Sequence, residues 1–209
     1  MMQLEIITDY KEDETMINVP KYNKEDRKKH FERLPKGAYV CKIMHLEEKE
    51  SKKGNPMVVI YWDIAEGEYK DFYKKQFEEN TSEDRKWSYD ATMYLSIPYE
   101  GCMPFITEQW ATFWANIEDS NNGYVFAGDE KKTEGKTFGA AMRNEQTEYN
   151  GNIYDHTRIA WTVIAQDVRD GKVKEASDKL ITSDGGDSSD EGFVPVMPEA
   201  GAPADLTWK

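Results

Sequence analysis

The chain has 209 residues, enough for one domain of ordinary size with flexible ends or for two very small domains. Its composition is 38% hydrophobic, 12% aromatic and 32% charged, which argues against a wholly disordered chain and predicts one globular domain with a heavily solvated surface. The formal net charge is −13 at pH 7, and because no run of about 18 apolar residues occurs, no membrane-spanning helix is expected.

Two further features bear on where the protein works. The first residues, MMQLEIITDYKEDE, lack the basic start and apolar stretch of a secretion signal. The two cysteines, Cys41 and Cys102, are too few for a disulfide framework or a Cys-rich zinc site, so we expect both to be buried thiols in a reducing compartment. These features predict a cytoplasmic protein.

In chain order, residues 1–34 are predicted to form a charged N-terminal arm, in which KEDRKKHFER favours a short helix that Pro35 ends. A folded domain is predicted over residues 35–182. Its first two strands are AYVCKIMHLEE and PMVVIYWDIA, and the basic, Gly-containing turn KESKKGN joins them into a hairpin.

The second strand alternates between two faces. The pattern places Val58, Ile60, Trp62 and Ile64 on one face, and Val59, Tyr61 and Asp63 on the other. The segment EGEYKDFYKKQF is expected to extend or follow this strand, and ENTSEDRK is a polar loop. WSYDATMYLSI alternates again and predicts the third strand.

The only long helical pattern is PFITEQWATFWANIEDSNNG, where apolar residues recur at three-to-four spacing and Gly123 suits the end of the helix. The aromatic stripe of Trp110, Phe113 and Trp114 is expected to be core rather than a base-stacking surface. KTFGAAMRNEQTEY and NIYDHTRIAWTVIAQDV then predict two strands, and the Asn150-Gly151 pair between them is a strong hairpin signal.

Three strands, one helix and a hairpin follow the order of five-stranded Greek-key OB barrels, which bind oligonucleotides on a face bordered by the loops joining strands one to two and four to five. The predicted fold class is therefore mainly β, a five-stranded OB-like barrel with one helix between strands three and four. The bordering loops would be residues 49–55 and 148–152.

Residues 183–209 are rich in Gly, Ser, Asp, Ala and Pro, a composition that predicts a disordered acidic tail. The tail carries six acidic residues and one Lys. One interpretation makes Phe193 and Trp208 the hydrophobic tips of a partner-docking tail, as in bacterial single-strand binders. The other makes the tail a solubilising segment that repels DNA.

Three segments carry a family resemblance: FERLPKGAYVCKI, GNPMVVIYWDIAEGEYK and FITEQWATFWANIEDSNNGYVF. They resemble a family of phage-encoded early proteins from bacteria with low-GC genomes, and the similarity covers roughly residues 31–170. Asp71 stands where that family usually has Gly. The resemblance implies an OB-fold single-stranded-DNA-binding protein that works beside recombinases and replication enzymes, in the cytoplasm of an infected or lysogenic bacterial host cell.

Sequence-tolerant binding of single strands needs aromatic faces for the bases and cations for the phosphates. The sequence offers such residues on the predicted strands and loops, and for each one core packing or generic surface remains the alternative. The predicted DNA-binding residues are Lys42, Lys52, Lys53, Tyr61, Tyr73, Lys74, Lys75, Lys86, Trp87, Tyr94, Arg143 and Arg158.

An enzyme is not expected. The three histidines lack ligand spacing, and no phosphate-binding loop or nucleophile motif occurs. Asp63, Glu66 and Glu68 cluster in DIAEGEY, where we expect a solvated acidic turn rather than a metal site. No cofactor or metal is predicted.

The leading hypothesis is a sequence-tolerant single-stranded-DNA-binding protein that supports phage replication or recombination, without contact with a membrane and with homo-oligomers possible. The acidity of the domain weighs against it, because residues 31–182 hold 20 basic and 27 acidic residues, a net charge of −7. The alternative is a non-enzymatic accessory factor that binds a host or phage replication enzyme.

Overall fold

The computed structural model describes residues 32–181. The chain divides into residues 1–30 and 31–209, and the description concerns the second unit. Its strands are β1 (Gly37–Glu50), β2 (Pro56–Ile64), β3 (Thr92–Ser96), β4 (Thr137–Tyr149) and β5 (Asn152–Val163). Its α-helices are α1 (Phe72–Glu79), α2 (Pro104–Ser120), α3 (Glu130–Thr133) and α4 (Ala165–Arg169), and a 3₁₀ turn covers Tyr89–Ala91. The predictions for the arm helix and for the tail, including Phe193 and Trp208, lie outside the described residues.

The five strands form one antiparallel sheet in the order β3-β2-β1-β4-β5. The long β1 is shared, because its first residues pair with β4 and its later residues with β2. The register shifts between Ile43 and His45, where an extra residue bends the strand. The prediction of a mainly β fold is confirmed, but the single helix expected between the third and fourth strands is in fact two, the long α2 and the short α3.

Closure into a barrel is not seen, because β3 and β5 share no backbone pairing among the described residues. The reason lies in the predicted third strand, whose first part forms the 3₁₀ turn and leaves only five residues for β3. Side chains cross the gap instead: Arg158 on β5 donates hydrogen bonds to the carbonyl oxygens of Tyr89 and Thr92, at 3.2 and 3.1 Å.

The core lies where α2 packs on the sheet. Phe113, Trp114 and Ile117 of α2 are buried, and the Phe113 ring contacts Phe138 of β4 edge-on at 5.6 Å between centroids. The prediction that the aromatic stripe of α2 is core is thus confirmed for Phe113 and Trp114. Cys41 is buried, as expected, whereas Cys102 is partly exposed.

The β4–β5 turn confirms the hairpin prediction. Asn150 and Gly151 have φ values of 51° and 73°, so both central residues adopt the left-handed conformation of a type I′ turn. This ribbon continues past the start of β1, which pairs with β4 only up to Met142. Beyond Met142, Lys179 pairs with β4 in place of β1. The Lys179 N–H donates to the Asn144 carbonyl oxygen, and the Lys179 carbonyl oxygen accepts from the Gln146 N–H.

The domain boundary differs slightly from the prediction. Leu34, assigned to the arm by its sequence, is 1% exposed and belongs to the core. Its carbonyl oxygen accepts a hydrogen bond of 2.6 Å from the Thr157 hydroxyl, which ties it to β5. Over the described residues, no helix combines the length and apolarity needed to cross a membrane.

Candidate nucleic-acid interface

Five of the predicted DNA-binding residues share one face of the sheet. Side chains alternate across each strand, so residues paired between neighbouring strands lie on the same face. The register pairs Lys42 with Asp63, Val59 with Tyr94, and Arg143 with Arg158. This face, called the polar face below, carries Lys42, Tyr61, Tyr94, Arg143 and Arg158.

Arg158 forms the centre of the polar face. It is 4% exposed, and its guanidinium lies 4.2 Å from the centroid of the Tyr89 ring. The same guanidinium bonds two carbonyl oxygens across the gap between the sheet edges. Because the side chain is buried and both terminal nitrogens are hydrogen-bonded within the protein, Arg158 is interpreted as a positioning residue for Tyr89 rather than a contact for phosphate.

Tyr89 was not among the predicted residues, although it follows the predicted Trp87 by two positions. Its side chain is 38% exposed and contacts the His156 ring edge-on at 5.4 Å. His156 is held in turn by Asp90, with 2.7 Å between Nδ1 and the carboxylate, and by the Thr147 hydroxyl at 2.9 Å. Tyr89 is therefore an exposed ring with a fixed orientation, the arrangement that stacking on a base requires.

Tyr61, predicted to bind DNA from the polar face of the second strand, is buried. Its hydroxyl donates a 2.6 Å hydrogen bond to Glu47, whose carboxylate also pairs with Lys49 at 2.7 Å. Burial, with Glu47 as a second cause, raises the pKa of Tyr61. The whole of β2 after Pro56 is buried, so the period-two rule fails because both faces of this strand are covered.

Two cations of the polar face are neutralised by neighbouring carboxylates. Arg143 donates two hydrogen bonds to Glu145, at 3.0 and 3.2 Å, and both side chains are nearly buried. Lys42 pairs with Asp71. These pairs leave Tyr94, which is partly exposed, as the predicted aromatic of this face that solvent can reach.

Tyr73 and Trp87, the leading aromatic candidates from sequence, are 3% and 6% exposed. The Tyr73 ring packs edge-on against Trp62 at 5.3 Å, and the Trp87 indole N–H donates to the carbonyl oxygen of Ala91 at 3.2 Å. Neither ring has a face open to a base in this structure. Tyr73 lies on the short helix α1 and Trp87 in the loop that follows. In both segments the aromatic ring is buried, whereas the neighbouring lysines are more exposed.

The predicted lysines divide by exposure. Lys74 and Lys75 are exposed on α1, with Lys74 3.8 Å from Glu78, and Lys86 is partly exposed. Lys52 and Lys53 are exposed at the β1–β2 turn. Ser51 and Asn55 exchange hydrogen bonds across that turn, which fixes the backbone that presents the two lysines.

The cluster Asp63, Glu66 and Glu68 does not converge on a metal. Asp63 is fully buried rather than solvated, and its carboxylate accepts hydrogen bonds from the backbone N–H groups of Ile64, Tyr73 and Lys74. Glu66 turns away to pair with Arg169 at 2.6 Å. In the region from 32 to 181, no three metal-ligating side chains come together.

Asp63 acts as the N-terminal cap of α1 from the preceding strand, which sequence spacing alone does not reveal. The helix follows Asp71, whose φ of 59° and ψ of 33° are left-handed. This is the conformation that Gly adopts most readily. Asp tolerates it better than most residues, and here its side chain also binds Lys42.

Other exposed aromatics were missed by the sequence analysis. Tyr149 and Tyr154 are 51% and 46% exposed and lie on either side of the hairpin turn. The Asn-Gly signal places them near an exposed tip, so their position could have been inferred from the hairpin prediction. Tyr99, 38% exposed, lies in the loop after β3.

No curated protein matches the chain. Residues 20–102 match a family model described as a protein of unknown function, DUF669. Within the described residues the match includes β1 to β3, α1 and Tyr89, but not Arg158, so this part of the chain is similar to the DUF669 family.

Proposed function

We propose that the protein binds single-stranded DNA without sequence preference. One observation carries the proposal: Tyr89, an exposed ring held in a fixed orientation over Arg158, lies at the margin of a sheet face that also carries Tyr94. Aromatic faces of this kind stack on any base, since every base has a π-face.

The proposal includes the OB-like character of the sheet. The strand order β3-β2-β1-β4-β5 is that of a Greek-key barrel opened between β3 and β5, and a helix follows β3 as it does in OB barrels. The Arg158 bridge stands at the place of the missing strand pairing. We infer that bases contact the polar face beside this bridge.

Phosphates need separate contacts, because Lys42, Arg143 and Arg158 are engaged within the protein. Lys52 and Lys53 are exposed at the β1–β2 turn, and Lys74 and Lys75 are exposed on α1. With few such contacts and a net charge of −7 over residues 31–182, we expect modest affinity that falls as salt rises. The role in phage replication or recombination, in the cytoplasm, forms part of the same proposal.

The test is a titration of the full-length protein into labelled oligo-dT, followed by fluorescence anisotropy at low and high salt, with a duplex of equal length as control. Anisotropy is preferred to tryptophan quenching, because Trp62, Trp87 and Trp114 are buried and would not report stacking directly. Saturable binding of oligo-dT that weakens with salt supports the proposal, and absence of binding at low salt overturns it.

A second candidate function is that of an accessory factor that binds a replication enzyme. The negative charge of the domain favours it, since acidic proteins bind nucleic acid poorly and basic protein surfaces well. Absence of oligo-dT binding at low salt would favour this second function. Docking of recombination or replication proteins through Phe193 and Trp208 stays a prediction, because those residues lie outside the described part of the chain.

A further inference from the structure

The end of the β4–β5 ribbon and the segment beside it expose several apolar side chains. They are Tyr149, Ile153 and Tyr154 on the hairpin and Leu180 and Ile181 on the segment beside β4, exposed by 40% to 57%. The segment is tied to the ribbon, because the Ile181 N–H donates to the Gln146 side chain at 3.2 Å. Side chains alternate along a strand, so Tyr154 lies on one face of the ribbon and Ile153 on the other, and both faces expose apolar surface at this edge.

The outer edge of β5 offers backbone groups to a partner strand. On β4, Asn144 and Gln146 direct their backbone groups toward Lys179, so Glu145 and Thr147 direct theirs toward β5. Their partners His156 and Tyr154 therefore point inward, and the intervening Ile153 and Asp155 point outward. The backbone N–H and C=O groups of Ile153 and Asp155 have no partner in residues 32–181.

We propose that this edge pairs with the same edge of a second copy of the chain, antiparallel about a two-fold axis at Tyr154. In that arrangement Ile153 of each copy exchanges hydrogen bonds with Asp155 of the other, and the two Tyr154 rings face each other. Ile153 and Asp155 of the two copies supply every backbone donor and acceptor, so the same residues serve on both sides, as a two-fold interface requires.

Charge favours a second copy over nucleic acid at this tip. Glu148 and Asp155 make the ribbon acidic, which repels phosphate. The two-fold axis places Asp155 of one copy opposite Ile153 of the other, so the two Asp155 side chains do not face each other. Arg33, 4.0 Å from Asp155, offsets the remaining like charge. An exposed apolar strand edge is a template for such pairing unless it is blocked.

Sedimentation velocity of the full-length protein over a wide concentration range tests the proposal. A species of twice the chain mass is expected, and the substitutions Ile153→Lys and Tyr154→Ser should each convert it to monomer without lowering the unfolding midpoint much. Tyr99→Ser, an exposed tyrosine away from the ribbon, is the matched control and should leave the dimer intact. A monomer at every concentration, or a dimer unchanged by Ile153→Lys, overturns the proposal.

A cross-link supplies a second readout that does not depend on affinity. Residues directly opposite in a non-hydrogen-bonded antiparallel pair have Cβ atoms about 4.5–5.5 Å apart, close enough for a disulfide after small adjustment. Tyr154→Cys, made together with Cys102→Ser, should form an oxidised dimer, whereas Tyr99→Cys in the same background should not. Equal cross-linking of the two would contradict the assigned surface.

Discussion

The guanidinium of Arg158 lies 4.2 Å from the Tyr89 ring centroid and bonds the carbonyl oxygens of Tyr89 and Thr92. One side chain thus bridges two sheet edges that share no backbone pairing within the described residues and also fixes an exposed ring. The bridge links the stability of the sheet to the geometry of the proposed interface. A substitution at Arg158 should therefore change both the stability of the sheet and the geometry of the proposed interface.

Arg158→Leu should lower the free energy of unfolding by about 2–4 kcal/mol, because the buried carbonyl oxygen of Thr92 and the partly buried one of Tyr89 lose charged donors. Chemical denaturation followed by circular dichroism measures the loss. Arg169→Ala is the control, since its exposed pair with Glu66 contributes at most about 1 kcal/mol. Similar losses in the two variants would mean that the bridge has no special role.

Asp63→Ala should cost about 2–3 kcal/mol, because the backbone N–H groups of Tyr73 and Lys74 at the start of α1, and that of Ile64 on β2, lose their acceptor. Asp63→Asn should lose less, since its remaining oxygen can still accept the bonds from Ile64 and Tyr73. Denaturation together with hydrogen exchange of the α1 amides would locate the effect. Unchanged exchange at α1 would contradict the capping role.

The pH dependence of Asp63 follows from its burial, which raises the pKa of this carboxyl above the ordinary 3.8 against the opposing effect of its backbone donors. Between the ordinary and the raised pKa, the folded state binds more protons than the unfolded state, so the stabilising contribution of Asp63 falls as pH rises through that window. The advantage of the wild type over Asp63→Asn should therefore be larger in mild acid than at neutral pH. An advantage that grows toward neutral pH would contradict the raised pKa.

Gly139→Ala should destabilise the protein by about 1–3 kcal/mol through overpacking. A Cβ at this position would lie 2.7 Å from side-chain atoms of Val163 and Val168 and 2.8 Å from the Ile164 carbonyl oxygen. The carbonyl belongs to the backbone entering α4 and cannot move aside without shifting that helix. Ala140→Gly on the same strand serves as a comparison, and a shift of the thermal midpoint seen only in the Ala140 variant would contradict the close approach at Gly139.

Asp71 separates backbone strain from ion pairing. Asp71→Gly should be close to neutral, because relief of the left-handed conformation offsets loss of the pair with Lys42. Asp71→Ala loses the pair and keeps the strain, so it should cost about 1–2 kcal/mol. Equal losses in the two variants, measured by denaturation, would show that the pair outweighs the backbone.

The elements with a strong periodic pattern were predictable from sequence. The strands, the helix of Trp110 to Trp114 and the Asn150-Gly151 turn follow from local spacing and turn chemistry. α1 was not predicted as a helix, because its start depends on a left-handed Asp71 and on a cap that Asp63 supplies from β2. Both contacts are tertiary and leave no local periodicity.

The candidate site was predictable only in part. Alternation separates the two faces of each strand, but grouping Tyr61, Tyr94 and Arg158 on one face requires the register between strands, and alternation cannot tell that β2 is covered on both sides. Exposure of Tyr89 instead of Tyr73 or Trp87 depends on the path of residues 80–91, which are a loop and a 3₁₀ turn. Sequence adjacency of aromatics and lysines is therefore a weak guide to a stacking surface.

The most direct test of the central claim is ultraviolet cross-linking of the full-length protein to oligo-dT, followed by mass spectrometric identification of the modified residue. Stacked aromatics cross-link to thymine efficiently, so the account predicts modification at Tyr89 or Tyr94 and its loss when excess unlabelled oligo-dT competes. The Tyr89→Ala variant should bind oligo-dT at least about fivefold more weakly, while Tyr99→Ala should bind as the wild type does. Cross-links confined to residues away from the polar face, or none at all, would contradict the account.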